Sequence, residues 1–185
     1  MTFDKSTNYA VKFLNPEEII SGLEILPGMR VAHFGCGTGF FTFPVAKKIG
    51  EGGVVYALDI LEAKVEAVRS QAKIMGLDNI DARRVNLEEE KGTKLGKESI
   101  DWVLIVNMLY QSQKKLEVFM EAERILKKGG CILFIDWEEL DRSLGPEIKN
   151  RVSKDELSDI IQKNKLAILK KIKVSSFHFG WIITK

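Results

Sequence analysis

Apolar positions along this chain follow two periods. Recurrence every three or four residues predicts helices, and short unbroken apolar runs predict buried strands. Asn15-Pro16-Glu17-Glu18 has the form of a helix start: an N-cap, proline at the first helical position and acids in the first turn. Ile19, Ile20, Leu23 and Leu26 follow at helical spacing, and Pro27-Gly28 is expected to end that helix. Residues 31–34 predict a strand that runs into Gly35-Cys36-Gly37-Thr38-Gly39. Residues 40–49 predict a helix, with Pro44 limiting its first hydrogen bonds, and 54–58 a second strand ending at Asp59. Residues 62–75 predict a helix with Val65, Val68, Ala72 and Met75 on one face and Gly76 at its C-terminal cap.

Farther along, residues 80–85 form a more polar strand suited to a sheet edge, and 86–98 a charged loop or short helix. The run 100–106 is apolar enough for a central strand buried on both faces. A helix over 113–127 should turn Leu116, Phe119, Met120 and Leu126 inward, and Gly129-Gly130 should turn the chain into a strand over 131–135. A loop over 138–150 leads to Ser153-Lys154-Asp155-Glu156, a capping-box start for a helix to 163. Two β-rich runs, 167–174 and 177–184, predict a closing hairpin. Alternating strands and helices predict an α/β protein, a parallel sheet with helices on both faces and one antiparallel strand from the hairpin.

Composition narrows the class. The chain has 185 residues, 45% apolar and 29% charged, with a net charge of +2. That is the balance of one globular domain, and it gives no reason to expect a nucleic-acid partner. The basic stretch 163–173 has no interleaved aromatics and reads as a solvated surface. No apolar run approaches the ~20 residues of a membrane span, and the N-terminus lacks the apolar core of a signal peptide, so the cytoplasm is the expected location. Cys36 and Cys131 fit no metal spacing and should lie at opposite sheet edges, which predicts free thiols, a reducing compartment and no metal.

The glycine loop carries the chemistry. In such sheets a ligand lies beyond the carboxyl ends of the strands. Glycines there permit positive φ and close approach, and the loop and helix N–H groups favour a negatively charged ligand group. Asp59, twenty residues after Gly39, can accept two hydrogen bonds from a ribose diol. These features predict a ligand containing a nucleoside. The dinucleotide pattern G-x-G-x-x-G/A would end on Phe40, which does not fit the close packing required, so a nicotinamide-dependent oxidoreductase is disfavoured.

Here the chain resembles class I S-adenosylmethionine-dependent methyltransferases, in particular the small single-domain group with the menaquinone and ubiquinone methyltransferases. VAHFGCGTGF is similar to their first motif, VVYALDI to the acidic second-strand motif, and NIDARRVNLEE to the third-strand motif. SIDWVLIVNMLY is similar to the fourth-strand motif, and EAERILKKGGCILFID to the stretch written R-x-L-K-P-G-G. The resemblance implies a Rossmann-like three-layer αβα sandwich, sheet order 3-2-1-4-5-7-6 with strand 7 antiparallel. It divides one domain, 1–185, into an N-terminal extension or lid (1–15), a cofactor-binding core (16–137) and a loop, helix and hairpin (138–185).

By the same resemblance, Gly35, Gly37 and Gly39, with Cys36, Thr38 and Phe40 between and after them, would wrap the methionine part of S-adenosylmethionine. Asp59 would hold the ribose, Ile60 would pack on the adenine, Asn86 and Leu87 would flank its edge, and the Asn107 carbonyl would face the amino group. His33 stands where the family usually has an acid, although a neutral imidazole can still accept a hydrogen bond. Asn86 stands where Asp is common, and Lys128 replaces the usual proline.

Methyl transfer needs the acceptor placed in line with the sulfonium methyl and water excluded, and a general base only if the acceptor arrives protonated. Topology puts Asn107, Tyr110, Gln111, Asp136 and Trp137 at the ligand edge, with Phe177 and His178 brought there by the hairpin. Asp136 or His178 is expected to orient or deprotonate the acceptor, and Tyr110, Trp137 and Phe177 to wall the pocket. A structural hydrogen-bonding role for Asp136 and a packing role for His178 stand beside these. The resulting expectation is methyl transfer to a small molecule, with S-adenosylhomocysteine as product, by a monomer or homodimer. A non-catalytic nucleoside-binding module and a protein or RNA methyltransferase are the alternatives.

Overall fold

The computed structural model describes residues 14–139 and 144–185. The proposed N-terminal lid falls largely on residues 1–13 and so lies outside the described residues. Asn15 caps α1 (Pro16–Ser21), its side chain accepting from the Glu18 N–H at 3.3 Å. This helix is shorter than its apolar spacing predicts. It ends at Gly22, after which Leu23 and Ile25 are buried while Leu26 is 56% exposed. That is the two-residue alternation of extended chain, mimicking helical spacing over a few positions.

The chain then forms β1 (Arg30–Phe34), α2 (Thr42–Ile49), β2 (Val54–Asp59), α3 (Glu62–Met75), β3 (Ile80–Arg84) and β4 (Ile100–Val106). It continues through a short 3-10 turn (Leu109–Gln111) into α4 (Lys115–Ile125), β5 (Leu126–Trp137), α5 (Lys154–Lys163), β6 (Ala167–Lys173) and β7 (His178–Thr184). Gly76 caps α3 in the left-handed conformation, and Ser153 caps α5 by accepting from the Glu156 N–H. Residues 86–98 form turns with positive φ at Lys91, Lys94 and Glu98.

One seven-stranded sheet runs β3-β2-β1-β4-β5-β7-β6. Its pairings are parallel from β3 to β5, and β7 is antiparallel to both β5 and β6. Gly129-Gly130 does not separate helix from strand. Leu126 already pairs with Ile100, and the register then shifts so that Cys131 pairs with Trp102. Gly129 has φ +76°, and a Cβ on Gly130 would sit 2.9 Å from the Lys127 carbonyl, so the two glycines bend a continuous strand.

Side-chain alternation divides the core. Phe34, Ile105 and Phe134 pack with Phe119 of α4 and Leu157 of α5. Val31, Leu104 and Ile135 pack on the other face with Ile20 of α1 and Val45 of α2, and α3 covers Ala57 and Ala82. Met120, expected inward, is 54% exposed, while Val118, Phe119 and Ala122 carry the buried face of α4. Among the described residues, no helix is long and apolar enough to cross a membrane, and no group of three or more His, Cys, Asp or Glu could hold a metal. Both cysteines are free thiols.

Candidate functional site

The carboxyl ends of β1, β2, β4 and β5 meet the start of β7 at one edge of the sheet, where they open into a cavity of about 830 Å³. That volume suits a ligand larger than a single amino acid. Its floor is the loop after β1. Gly35, Gly37 and Gly39 have φ of +62°, +52° and +91°, backbone that strains any residue with a Cβ. The three serve different ends. A Cβ on Gly35 would meet Met108 Cβ at 2.8 Å, and one on Gly39 would meet the Phe43 ring at 2.5 Å. A Cβ on Gly37 would meet nothing within 4 Å, so at this position the backbone borders open space. Gly35, Cys36, Gly37, Thr38 and Phe40 line the cavity, whereas Gly39 faces Phe43 and is not a lining residue. Burial, with the nearby Asp59 charge, pushes the Cys36 thiol up to about 12, which makes it an unreactive wall.

Asp59 closes β2 and is 8% exposed. Its Oδ2 accepts from the Gly37 N–H at 2.9 Å and its Oδ1 from the Leu61 N–H at 3.0 Å. The carboxylate therefore ties the glycine loop to the start of α3, and its remaining lone pairs border the cavity. Beside it lie apolar walls from Ile60, Leu61, Val85 and Leu87. Asn86 lines the same side, with its amide tied into its own loop. Its Oδ1 accepts from Glu88 N–H at 3.1 Å and its Nδ2 donates to Glu89 at 3.0 Å.

His33 lines the cavity at 3% exposure, with Nδ1 2.8 Å from Thr42 Oγ1. Burial pushes its pKa down to about 4, so the ring is neutral at physiological pH. At the far side, Asn107 has φ +50°, and its N–H donates to the Ile135 carbonyl at 2.9 Å. Its own carbonyl accepts from Gln111 Nε2 at 3.4 Å. Asn107, Trp137 and His178 line the cavity together, the indole and imidazole centroids 4.2 Å apart.

Asp136 and Tyr110 are not among the lining residues. Strand alternation explains the first: Trp137 faces the cavity, so Asp136 projects to the opposite face, where it is completely buried. Its Oδ1 accepts from Trp137 N–H at 2.8 Å, and burial pushes its pKa up to about 6. Tyr110 packs against the core on that face, its phenol shifted up by burial and by the Asp136 charge. Phe177 likewise is not a lining residue.

Several lining residues carry no local signal in the sequence. Leu14 reaches the cavity from the approach to α1. Glu88 is fixed there because its Oε1 accepts from Ser112 Oγ at 2.6 Å and Gln113 N–H at 2.9 Å, and the Ser112 bond holds its carboxyl below the usual range. Met108 fills the space that Gly35 leaves.

Comparison with known proteins agrees with this geometry. A family profile described as "Methyltransferase domain" matches residues 25–179. The aklanonic acid methyltransferase DauC of Streptomyces sp. (strain C5) is 34% identical over 92 residues, 46% of this chain and 42% of that protein. The demethylmenaquinone methyltransferase of Lactococcus lactis subsp. lactis (strain IL1403) is 32% identical over 114 residues, 60% of this chain and 43% of that one. The chain thus matches less than half the length of either relative. The crystal structure of a SAM-dependent methyltransferase from Aquifex aeolicus superposes with a TM-score of 0.85 at 23% identity, covering 94% of this chain and 90% of that one. Its likeness shows the shared fold. With the profile spanning β1 through the start of β7, and the strand order and glycine loop in place, the chain belongs to the methyltransferase domain family.

Proposed function

We propose that this chain binds S-adenosylmethionine along the carboxyl edge of its sheet and transfers the methyl group to a small-molecule acceptor. One observation carries the reading. The Gly35–Gly39 loop and the Asp59 carboxylate border the same cavity, and at Gly37 the backbone itself has open space before it. A nucleoside with an amino-acid tail fits these residues. Asp59 has lone pairs left for ribose hydroxyls, and Ile60, Val85 and Leu87 offer flat apolar contact to a base. The glycine loop admits the tail without side chains in the way. Bound there, S-adenosylmethionine would supply an electrophilic sulfonium methyl.

The chain's own part is to bind, orient and exclude water. Gly35, Cys36, Gly37, Thr38 and Phe40 wall the tail, Gly39 shapes the loop from behind them, and neutral His33 offers a ring nitrogen rather than a charge. Asn86 and Leu87 border the base, and Asn107, Trp137 and His178 border the acceptor's side. Asp136 and Tyr110 act in this reading from behind the cavity wall, supporting the 3-10 turn that follows Asn107. A small-molecule acceptor is supported by the names of the relatives, which act on aklanonic acid and demethylmenaquinone. The near-neutral chain supports a protein that works without nucleic acid, as monomer or homodimer, and its two free cysteines suit the cytoplasm.

Calorimetry with S-adenosylmethionine, wild type beside Asp59→Ala, tests the reading. Binding that weakens at least about tenfold in the variant is expected. Wild type that does not bind S-adenosylmethionine overturns it.

A further inference from the structure

Glu88 is a charged lining residue that the proposed function leaves idle. It follows Val85, Asn86 and Leu87 on the base side of the cavity, where Ser112 and Val118 line the wall with it. Its carboxylate is held at one oxygen. Oε1 accepts from Ser112 Oγ at 2.6 Å and from the Gln113 N–H at 2.9 Å. The Lys114 N–H donates to Ser112 Oγ at 3.2 Å, which fixes the hydroxyl with its hydrogen toward Glu88. Both hydrogen bonds that the described residues make to this carboxylate end on Oε1, which leaves Oε2 for a ligand. The Ser112 bond keeps the carboxyl below the usual range, so Glu88 is ionised at neutral pH.

Asn86 is engaged elsewhere. Its Oδ1 accepts from the Glu88 N–H at 3.1 Å and its Nδ2 donates to Glu89 Oε1 at 3.0 Å. Each amide atom has a partner of the matching kind, so turning the group over would break both bonds. The first of these bonds makes an Asx turn, in which the Asn86 side chain directs the backbone into Glu88. The residue whose place in the sequence pointed to the adenine amino group serves its own loop, and a fixed charge stands two positions later.

We infer that Glu88 is the specificity-determining residue for the base, its Oε2 accepting from the 6-amino group of the adenine in S-adenosylmethionine. This rests on the proposed function for the identity of the ligand. A carboxylate only accepts, so a base edge brought up to it must donate. The 6-amino group is the donor on adenine, whose ring nitrogens are acceptors that a carboxylate repels. Ile60, Val85 and Leu87 offer a base apolar contact alone, which does not tell one purine from another. The charge beside those walls supplies the distinction. Ser112 and Gln113 set its direction before a ligand arrives, so little ordering is left to be done on binding.

Adenosine and purine riboside, which differ only in the 6-amino group, are the probes. Calorimetric titration of wild type should show adenosine binding at least about tenfold more tightly. Glu88→Gln keeps the shape of the side chain. Its one oxygen stays with the Ser112 and Gln113 donors, which both need an acceptor, and its NH2 takes the place of Oε2. That NH2 then opposes the 6-amino group, donor against donor. Adenosine should lose its advantage, and purine riboside, which offers a ring nitrogen to the NH2, should bind as well or better. A role confined to bracing Ser112 and Gln113 would leave the preference unmoved, because glutamine makes the same two bonds.

Wild type that binds the two nucleosides alike, or Glu88→Gln that keeps the wild-type preference, overturns the inference. The cofactor reading stands in either case if S-adenosylmethionine still binds. Wild type that binds neither nucleoside nor S-adenosylmethionine overturns both.

Discussion

The Asp59 carboxylate and the Gly37 N–H are joined by a 2.9 Å hydrogen bond across two neighbouring strand ends. The acid usually considered for its contact with a ligand also shapes the loop that must receive that ligand. Asp59→Ala should therefore weaken S-adenosylmethionine binding beyond what a lost ribose contact explains. A charged hydrogen bond contributes about 1.5–3 kcal/mol, or roughly 10- to 100-fold in affinity. Asp59→Asn, which keeps one acceptor oxygen, should fall between the wild type and alanine. Calorimetry gives all three values, and equal losses in both variants would contradict the dual role.

The loop glycines should separate binding from stability. Gly37→Ala adds a methyl group where nothing lies within 4 Å, and should cost about 1–2 kcal/mol for its positive φ while abolishing cofactor binding. Gly39→Ala also drives a Cβ against the Phe43 ring, so overpacking should add about 1–3 kcal/mol. Urea titration of both variants should place Gly39→Ala clearly below Gly37→Ala. The reverse order would mean that the Phe43 ring moves aside freely.

Acid should destabilise the protein through its histidines. His33 and His178 have native pKa values near 4 against an ordinary 6.5, so between these limits the unfolded chain binds more protons and stability falls as pH falls. Asp136, raised from 3.8 to about 6, works the other way over most of that window, below about pH 6, because there the native state holds the extra proton. Two groups oppose one, so Tm should drop from pH 7 toward pH 4.5. His33→Gln, which keeps a polar partner for Thr42 but does not titrate, should flatten the drop. An unchanged slope in that variant would show that His33 is protonated in the native state.

Glu121 offers a test away from the cavity. It is 4% exposed, pairs with Arg124 at 2.6 Å, and accepts from the Thr93 N–H at 3.1 Å and the Thr93 hydroxyl. Burial alone would raise its pKa, but the Arg124 and Thr93 hydrogen bonds together outweigh it and hold it low. Glu121→Ala should cost about 3–5 kcal/mol by leaving Arg124 and Thr93 without their acceptor. Denaturant unfolding measures this, and a loss under 1 kcal/mol would mean that water replaces the carboxylate.

Much of this molecule was legible in its sequence because the deciding interactions are local. Asn15, Ser153 and Gly76 cap their helices through backbone groups a few residues away, so composition at those points predicts the ends. The apolar runs of β1, β2 and β4 need burial on both faces, which only a covered parallel sheet supplies. The glycine loop and Asp59 are equally local, since positive φ and a strand-end carboxylate are properties of single positions.

The rest depended on partners distant in sequence. Whether α1 continued to Leu26 was settled by the burial of Leu23 and Ile25, and whether Gly129-Gly130 broke or bent the chain by the pairing of Leu126 with Ile100. Glu88 reaches the cavity because Ser112 and Gln113 hold it there. Asp136 and His178 looked interchangeable as candidates near one sheet edge, yet pleating sends one behind the wall and the other into the cavity. A sequence specifies which residues can bend, cap or accept. Tertiary packing decides which of them face one another, because that depends on strand register and on contacts between residues far apart along the chain.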